Sequence, residues 1–138
     1  MPLVLKCHKG LGPTVKGTAL VAQDNFSTRY DLERINGTFS RPAHKLHGQR
    51  YVDRVLVLVT AKGGVASAWM LREMTARRMA PKAIIFDRTN TILAQGAAFA
   101  DMTMVDRFEA GDPTTLIRTG DEVRIEPSKG LVTILNRD

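Results

Sequence analysis

Residues 54–87 leave the chain few ways to fold. An unbroken apolar run, Val55-Leu56-Val57-Leu58-Val59, leads through Lys62-Gly63-Gly64 into residues 65–79, which contain neither glycine nor proline, and then to Ala83-Ile84-Ile85-Phe86. A run this rich in β-branched residues, with no polar alternation, fits a strand covered on both faces. The segment after the glycines suits a helix. Strand, glycine turn, helix, strand is a βαβ unit, which requires parallel strands and a right-handed crossover. The glycine turn then lies at the carboxyl end of the first strand, where open α/β sheets place ligands. It also lies at the amino end of the helix, where free N–H groups and the dipole favour an anion.

The rest of the chain must be compatible with that unit. At 138 residues a single domain spanning 1–138 is expected, long enough to bury a core without covalent staples. One cysteine, Cys7, excludes an internal disulfide framework and fits a cytoplasmic location. The amino end meets charge at Lys6, too early for a secretory leader. No apolar run approaches the roughly 20 residues that cross a bilayer, so no membrane association is expected. The net charge of +6 fits an anionic small molecule or an acidic partner. Nucleic acid is not expected as a partner, because aromatic residues make up only 6% and none alternates with Lys or Arg as a base-stacking platform requires.

Taken in order, residues 3–7 and 14–21 read as strands, with Gly17 marking a bulge or a close backbone approach. Residues 24–48 lack sustained periodicity and read as a functional loop. In the helix of the βαβ unit, Ala66, Met70 and Met74 form a core stripe beside Trp69, while Arg72, Arg77 and Arg78 take the solvent side. Pro81 is expected to stop that helix. Residues 91–100 fit strand or helix equally. Thr103-Met104-Val105 reads as a short strand and residues 109–115 as loop. Val123-Arg124-Ile125-Glu126 pairs with residues 131–135 across a Pro127-Ser128-Lys129-Gly130 turn.

Few standard chemical motifs are present. The three histidines and Cys7 lack zinc-site spacing, and one cysteine cannot hold an iron–sulfur cluster, so no metal site is expected. There is no Gly-x-Ser-x-Gly elbow, and Lys62-Gly63-Gly64 lacks the Gly-Lys-Ser/Thr of a phosphate loop. By pattern alone the turn either cradles a carboxylate or phosphate or simply lets a strand pass tightly into a helix.

A longer ordered set of blocks points further. Gly17-Thr18-Ala19-Leu20-Val21 is followed by Phe26-Ser27, by Tyr30-Asp31 with Gly37 beyond it, and by His44-Lys45-Leu46-His47-Gly48. Then come Arg54-Val55-Leu56-Val57-Leu58, Leu71-Arg72-Glu73, Met79-Ala80-Pro81-Lys82-Ala83-Ile84, Gln95-Gly96-Ala97-Ala98 and Thr119-Gly120-Asp121-Glu122-Val123. In order and spacing, residues 17–135 resemble the aconitase X swivel-domain family, small subunits or fused small domains of dehydratases in the aconitase superfamily.

The resemblance implies an α/β fold of the swivelling β/β/α type, a sheet-rich barrel carrying the βαβ unit at residues 54–87. It implies a heteromeric hydro-lyase in which this chain is the small subunit, inactive alone, closing over an iron–sulfur site held by a large catalytic subunit. No cofactor is then bound by this chain. Substrates in the family are small hydroxylated acids such as phosphomevalonate and cis-3-hydroxyproline. The residues matching the family turn, Lys62, Gly63, Gly64, Val65 and Ala66, are expected to bind the anionic substrate. By analogy with other aconitases, that turn presents a serine as general base. Here the serine position is Gly64, and His44 is followed by Lys45 where the family has proline. A glycine hydrogen cannot move a proton, so Ser67, Asp31 and His44 become the acid–base candidates. A second reading stays open for the same reason: a non-catalytic swivel domain that binds a small acid or a protein as a regulatory module.

Overall fold

The computed structural model describes residues 3–24, 32–33, 38–39, 45–46, 48–60, 65–78, 80–89, 94–95, 97–98 and 101–136. The strands are β1 (Leu3–Lys6), β2 (Val15–Val21), β3 (Leu32–Glu33), β4 (Thr38–Phe39), β5 (Val55–Thr60), β6 (Ala83–Arg88), β7 (Thr103–Val105), β8 (Glu122–Glu126) and β9 (Leu131–Asn136). The helices are α1 (Val65–Ala76) and the short α2 (Pro113–Leu116). Seven strands form one sheet in the order β1-β9-β8-β2-β5-β6-β7. β2, β5, β6 and β7 run parallel, whereas β1, β9, β8 and β2 pair antiparallel. The expected βαβ unit is therefore present, set within a mixed sheet.

The sheet curls until its edges meet. Leu11 and Met104 exchange backbone hydrogen bonds at 2.9 and 3.0 Å. Cys7 faces Phe108, and Glu109 N–H donates to Lys6 C=O at 2.9 Å. The segment after β1 thus continues along β7 and closes a barrel, which removes exposed strand edges. Closure needs glycine. A Cβ on Gly10 would collide with the Met104 carbonyl oxygen, and Gly12, at φ +85°, has Met102 and Thr103 backbone atoms 2.7 Å from where its Cβ would lie. The buried Thr103 hydroxyl donates to Pro13 C=O at 2.5 Å and pins the same seam.

Strand alternation divides the apolar residues into two cores. Leu20, Leu56, Ile84 and Met104 stand in one register row across β2, β5, β6 and β7. They face outward, with Leu58, Phe86, Met74 of α1, Ala97, Phe39, Leu46 and Tyr51 in the same cluster. Phe39 meets Tyr51 edge-on, with ring centroids 6.1 Å apart. The alternate row, Ala19, Val55 and Ala83, faces inward with Val57, Ile85, Val105, Leu5, Val123, Ile125, Val132 and Ile134, and this set fills the barrel. Val55–Leu58 are buried on both faces, as their unbroken apolar run requires.

Several local expectations shift. α1 stops at Ala76, well before Pro81. Arg78 adopts a left-handed φ of +59° and its N–H turns back to Thr75 C=O, so a left-handed residue ends the helix and the proline only follows it. The 109–115 loop contains α2, started by Asp112, whose carboxylate accepts from Thr114 N–H at 2.9 Å. Gly17 marks close approach, since its Cβ would lie 3.0 Å from Val55 Cγ2. The ambiguous 91–100 segment is helical at 94–95 and 97–98. The aperiodic 24–48 segment contains the β3/β4 hairpin.

Candidate functional site at the carboxyl edge of the parallel strands

β5 ends at Thr60 and α1 begins at Val65, so the start of α1 follows the carboxyl end of β5. The amides of the first helical turn have no carbonyl partner inside the helix and carry the positive end of its dipole. Val65, Ala66 and Ser67 occupy that turn. Lys62, Gly63, Gly64, Asp31 and His44 lie outside the described residues.

The described residues do show how the neighbouring segment is held. Ala22 N–H donates to Val57 C=O at 3.0 Å, and Val59 N–H donates to Asp24 C=O at 2.9 Å, so the chain leaving β2 stays zipped to β5 up to its end. The Asp24 carboxylate then accepts Lys45 N–H at 3.1 Å. Phe39 N–H donates to Gln49 C=O and Gly48 N–H to Phe39 C=O, folding this segment over the outer core with Leu46 buried. Lys45, the neighbour of His44, is thereby tied to the end of the strand that launches the glycine turn. Sequence reasoning passed over Asp24. The available signal was an acidic residue just beyond a strand, a position from which carboxylates commonly accept backbone N–H groups.

One and two strands further along the same edge a cleft of about 420 Å³ opens. Cys7, His8, Asp87, Arg88, Arg107, Phe108 and Glu109 line it. Arg88 stands opposite Thr60 in the β5/β6 register, next to the turn. Arg107 takes a left-handed φ of +59°, which lets its N–H reach Asp87 C=O at 3.0 Å. Asp106 accepts Thr89 N–H at 3.1 Å, and its carboxylate lies 3.6 Å from Arg107 Nε. Burial, reinforced by the negative Asp106, pushes the Cys7 thiol up to about 11. Burial therefore favours the neutral thiol over the nucleophilic thiolate at neutral pH. Among the described residues no group of three or more His, Cys, Asp or Glu side chains could hold a metal ion. An iron–sulfur cluster needs several thiolates and does not fit this chain, whose one cysteine is Cys7.

A model of the aconitase X swivel domain matches residues 4–134. The chain belongs to the aconitase X swivel-domain family. It is 30% identical over 130 residues to the phosphomevalonate dehydratase small subunit of Thermococcus sibiricus, covering 94% of this chain and 97% of that one. Aconitase X of Thermococcus kodakaraensis, solved in its holo form, superposes with a TM-score of 0.88 at 28% identity over 97% of this chain and 99% of that one. The solution NMR structure of a UPF0107 protein superposes with a TM-score of 0.79 at 27% identity, over 97% of this chain and 100% of that one. The expected swivel-type barrel is therefore the fold observed. Among the described residues no helix is long and apolar enough to cross a membrane.

Proposed function

We propose that this chain is the small subunit of an aconitase X-type hydro-lyase that removes water from a phosphorylated hydroxy acid of the phosphomevalonate class. One observation carries the reading: the match to a dehydratase small subunit covers 94% of this chain and 97% of the Thermococcus sibiricus one. A larger partner subunit supplies the iron–sulfur centre, since Cys7 cannot, and the pair works in the cytoplasm.

Within the pair this chain contributes the carboxyl edge. First-turn amides at Val65 and Ala66, with Lys62, Gly63 and Gly64 preceding them in the sequence, bind the substrate carboxylate. That contact stabilises the negative charge that builds up when the proton on the adjacent carbon is removed. Ser67, Asp31 and His44 are the candidates for moving that proton. The tie from Asp24 to Lys45 favours His44, because it fixes the neighbouring backbone beside β5. Closing the barrel's edge over the partner excludes bulk water and strengthens each of these contacts.

The test is reconstitution. This chain is co-expressed with a large aconitase X-type subunit, and loss of water from phosphomevalonate is followed. Activity that needs both chains supports the proposal. Individual His44→Gln, Asp31→Asn and Ser67→Ala variants then identify the proton-moving group by the largest fall in kcat, a factor of about 10²–10⁴ for a general base. The glycine at position 64 favours the alternative of a non-catalytic binding module. That alternative takes over if the pair assembles with a full iron complement and binds the acid without dehydrating it.

A further inference from the structure

We infer that the cleft between the β6 and β7 exits is a subsite for a phosphate monoester, held by the guanidinium groups of Arg88 and Arg107. The inference rests on the dehydratase reading only for the identity of the substrate that carries the phosphate.

Three observations support it. First, the cleft lies on the carboxyl edge at which β5 ends. Arg88 sits in register with Thr60, and Arg107 follows the next strand. Adjacent strands are ~4.8 Å apart, so these backbones stand roughly 5 and 10 Å from the end of β5. A small acid with a carboxylate at one end and a phosphate at the other spans about that distance. Second, the arginines are available. Arg88 is exposed and makes no ion pair among the described residues, and the Asp106 contact of Arg107 is long at 3.6 Å. Third, Arg107 is a non-glycine residue in the left-handed region, held there by its N–H bond to Asp87 C=O. That conformation fixes where its side chain leaves the backbone, and such residues concentrate at ligand sites. Guanidinium is the side chain suited to bidentate phosphate binding.

The remaining charges set the balance. Asp87, Glu109 and His8 also line the cleft. With Asp106 beside Arg107, three carboxylates face two guanidiniums, so the site does not attract anions by net charge. It binds by geometry, with the buried Phe108 as an apolar wall. The opposing carboxylates give the proposal a sign test: neutralising Glu109 should tighten phosphate binding, whereas removing either arginine should weaken it.

The direct experiment titrates inorganic phosphate into the full chain and follows backbone amide shifts by NMR. Saturable shifts at Arg88, Arg107, Phe108 and Glu109 are expected. Arg88→Ala should weaken the affinity by roughly ten- to a hundredfold, the loss of one charge-assisted hydrogen bond. Arg107→Gly should do the same, and it keeps the fold because glycine accepts the left-handed conformation. Glu109→Gln should strengthen binding. Arg77→Ala, at an exposed position just past α1, should change nothing. In the reconstituted pair, Arg88→Ala should raise KM for the phosphorylated acid by the same factor with kcat within about twofold.

Non-saturable shifts spread over the lysines, or equal effects of Arg77→Ala and Arg88→Ala, would overturn the subsite. So would a fall in kcat with unchanged KM. Saturable phosphate binding at the cleft in a pair that shows no dehydratase activity would instead overturn the functional reading and leave the subsite standing.

Discussion

Replacing Gly12 with alanine tests whether barrel closure holds this domain together. Gly12 has φ +85°, and three backbone atoms of Met102 and Thr103 lie 2.7 Å from the position its Cβ would take. Non-bonded carbons prefer ~3.5–4.0 Å, so the seam must open by about an ångström, and no flexible side chain can give way instead. The left-handed conformation itself costs an L-residue about 1–2 kcal/mol. Opening the seam weakens the paired Leu11–Met104 bonds of 2.9 and 3.0 Å and the Thr103–Pro13 bond, each worth about 1 kcal/mol net. The sum is about 3–5 kcal/mol, a large part of the ~5–15 kcal/mol that holds a domain folded. For a chain of this size it corresponds to a fall in Tm of roughly 10–15 °C. Gly120→Ala provides the internal control. Gly120 is also left-handed, at φ +97°, but nothing lies within 4 Å of its Cβ position, so it should cost only the conformational term. Urea unfolding of both variants, with amide exchange at Leu11 and Met104, measures the difference. Equal losses for the two variants, or Leu11 and Met104 amides as protected as in the parent, would refute the closure argument.

Further outcomes can be stated briefly. Asp112→Ala removes the carboxylate that accepts from both the N–H and the hydroxyl of Thr114, at 2.9 and 2.8 Å, and should cost about 1 kcal/mol in urea unfolding. Leu56→Ala, in the fully buried central strand, should cost about 2–5 kcal/mol by the same measurement. The Cys7 thiol titrates at about 11 in the folded chain against 9.0 unperturbed, so the native state holds its proton more tightly. That contribution is fully present below pH 9.0 and is lost as pH rises through about 11. Stability of the parent minus that of Cys7→Ala should therefore decline across this window and stay flat below it. Gly64→Ser, which restores a hydroxyl at the turn, should raise kcat of the reconstituted pair. An unchanged or lower kcat would show that another group already moves the proton.

The sequence revealed what backbone geometry forces and hid what tertiary contact decides. Val55–Leu58 could only be a doubly covered strand, so the βαβ unit and its carboxyl edge followed from local pattern. Barrel closure followed only from the family resemblance and not from local pattern, because it depends on residues 8–12 meeting β7 across most of the chain, and Gly10 and Gly12 read locally as an ordinary turn. The end of α1 was misplaced because Pro81 is a visible breaker, whereas a left-handed Arg78 has no sequence signature. The same asymmetry governs the site. The glycine turn announced itself through composition, but the cleft that shares its edge is assembled from the ends of β1, β6 and β7, and its arginines are unremarkable in sequence.

That division has a functional consequence. A binding edge made from first-turn amides and strand ends is fixed by the sheet and tolerates change in the side chains of the turn. On the proposed reading the proton is moved by a single side chain, and glycine at position 64 removes that side chain without removing the first-turn amides of α1. This chain is then expected to keep recognition of its acid while its chemistry is reassigned to another residue or to the partner. The discriminating quantity is the ratio of the two effects. If His44→Gln lowers kcat by 10²-fold or more while phosphate affinity is unchanged, recognition and proton transfer are separable on this edge. If both fall together, Asp24, Lys45 and the β5 exit act as one unit and the edge is not the fixed platform that its hydrogen bonds describe.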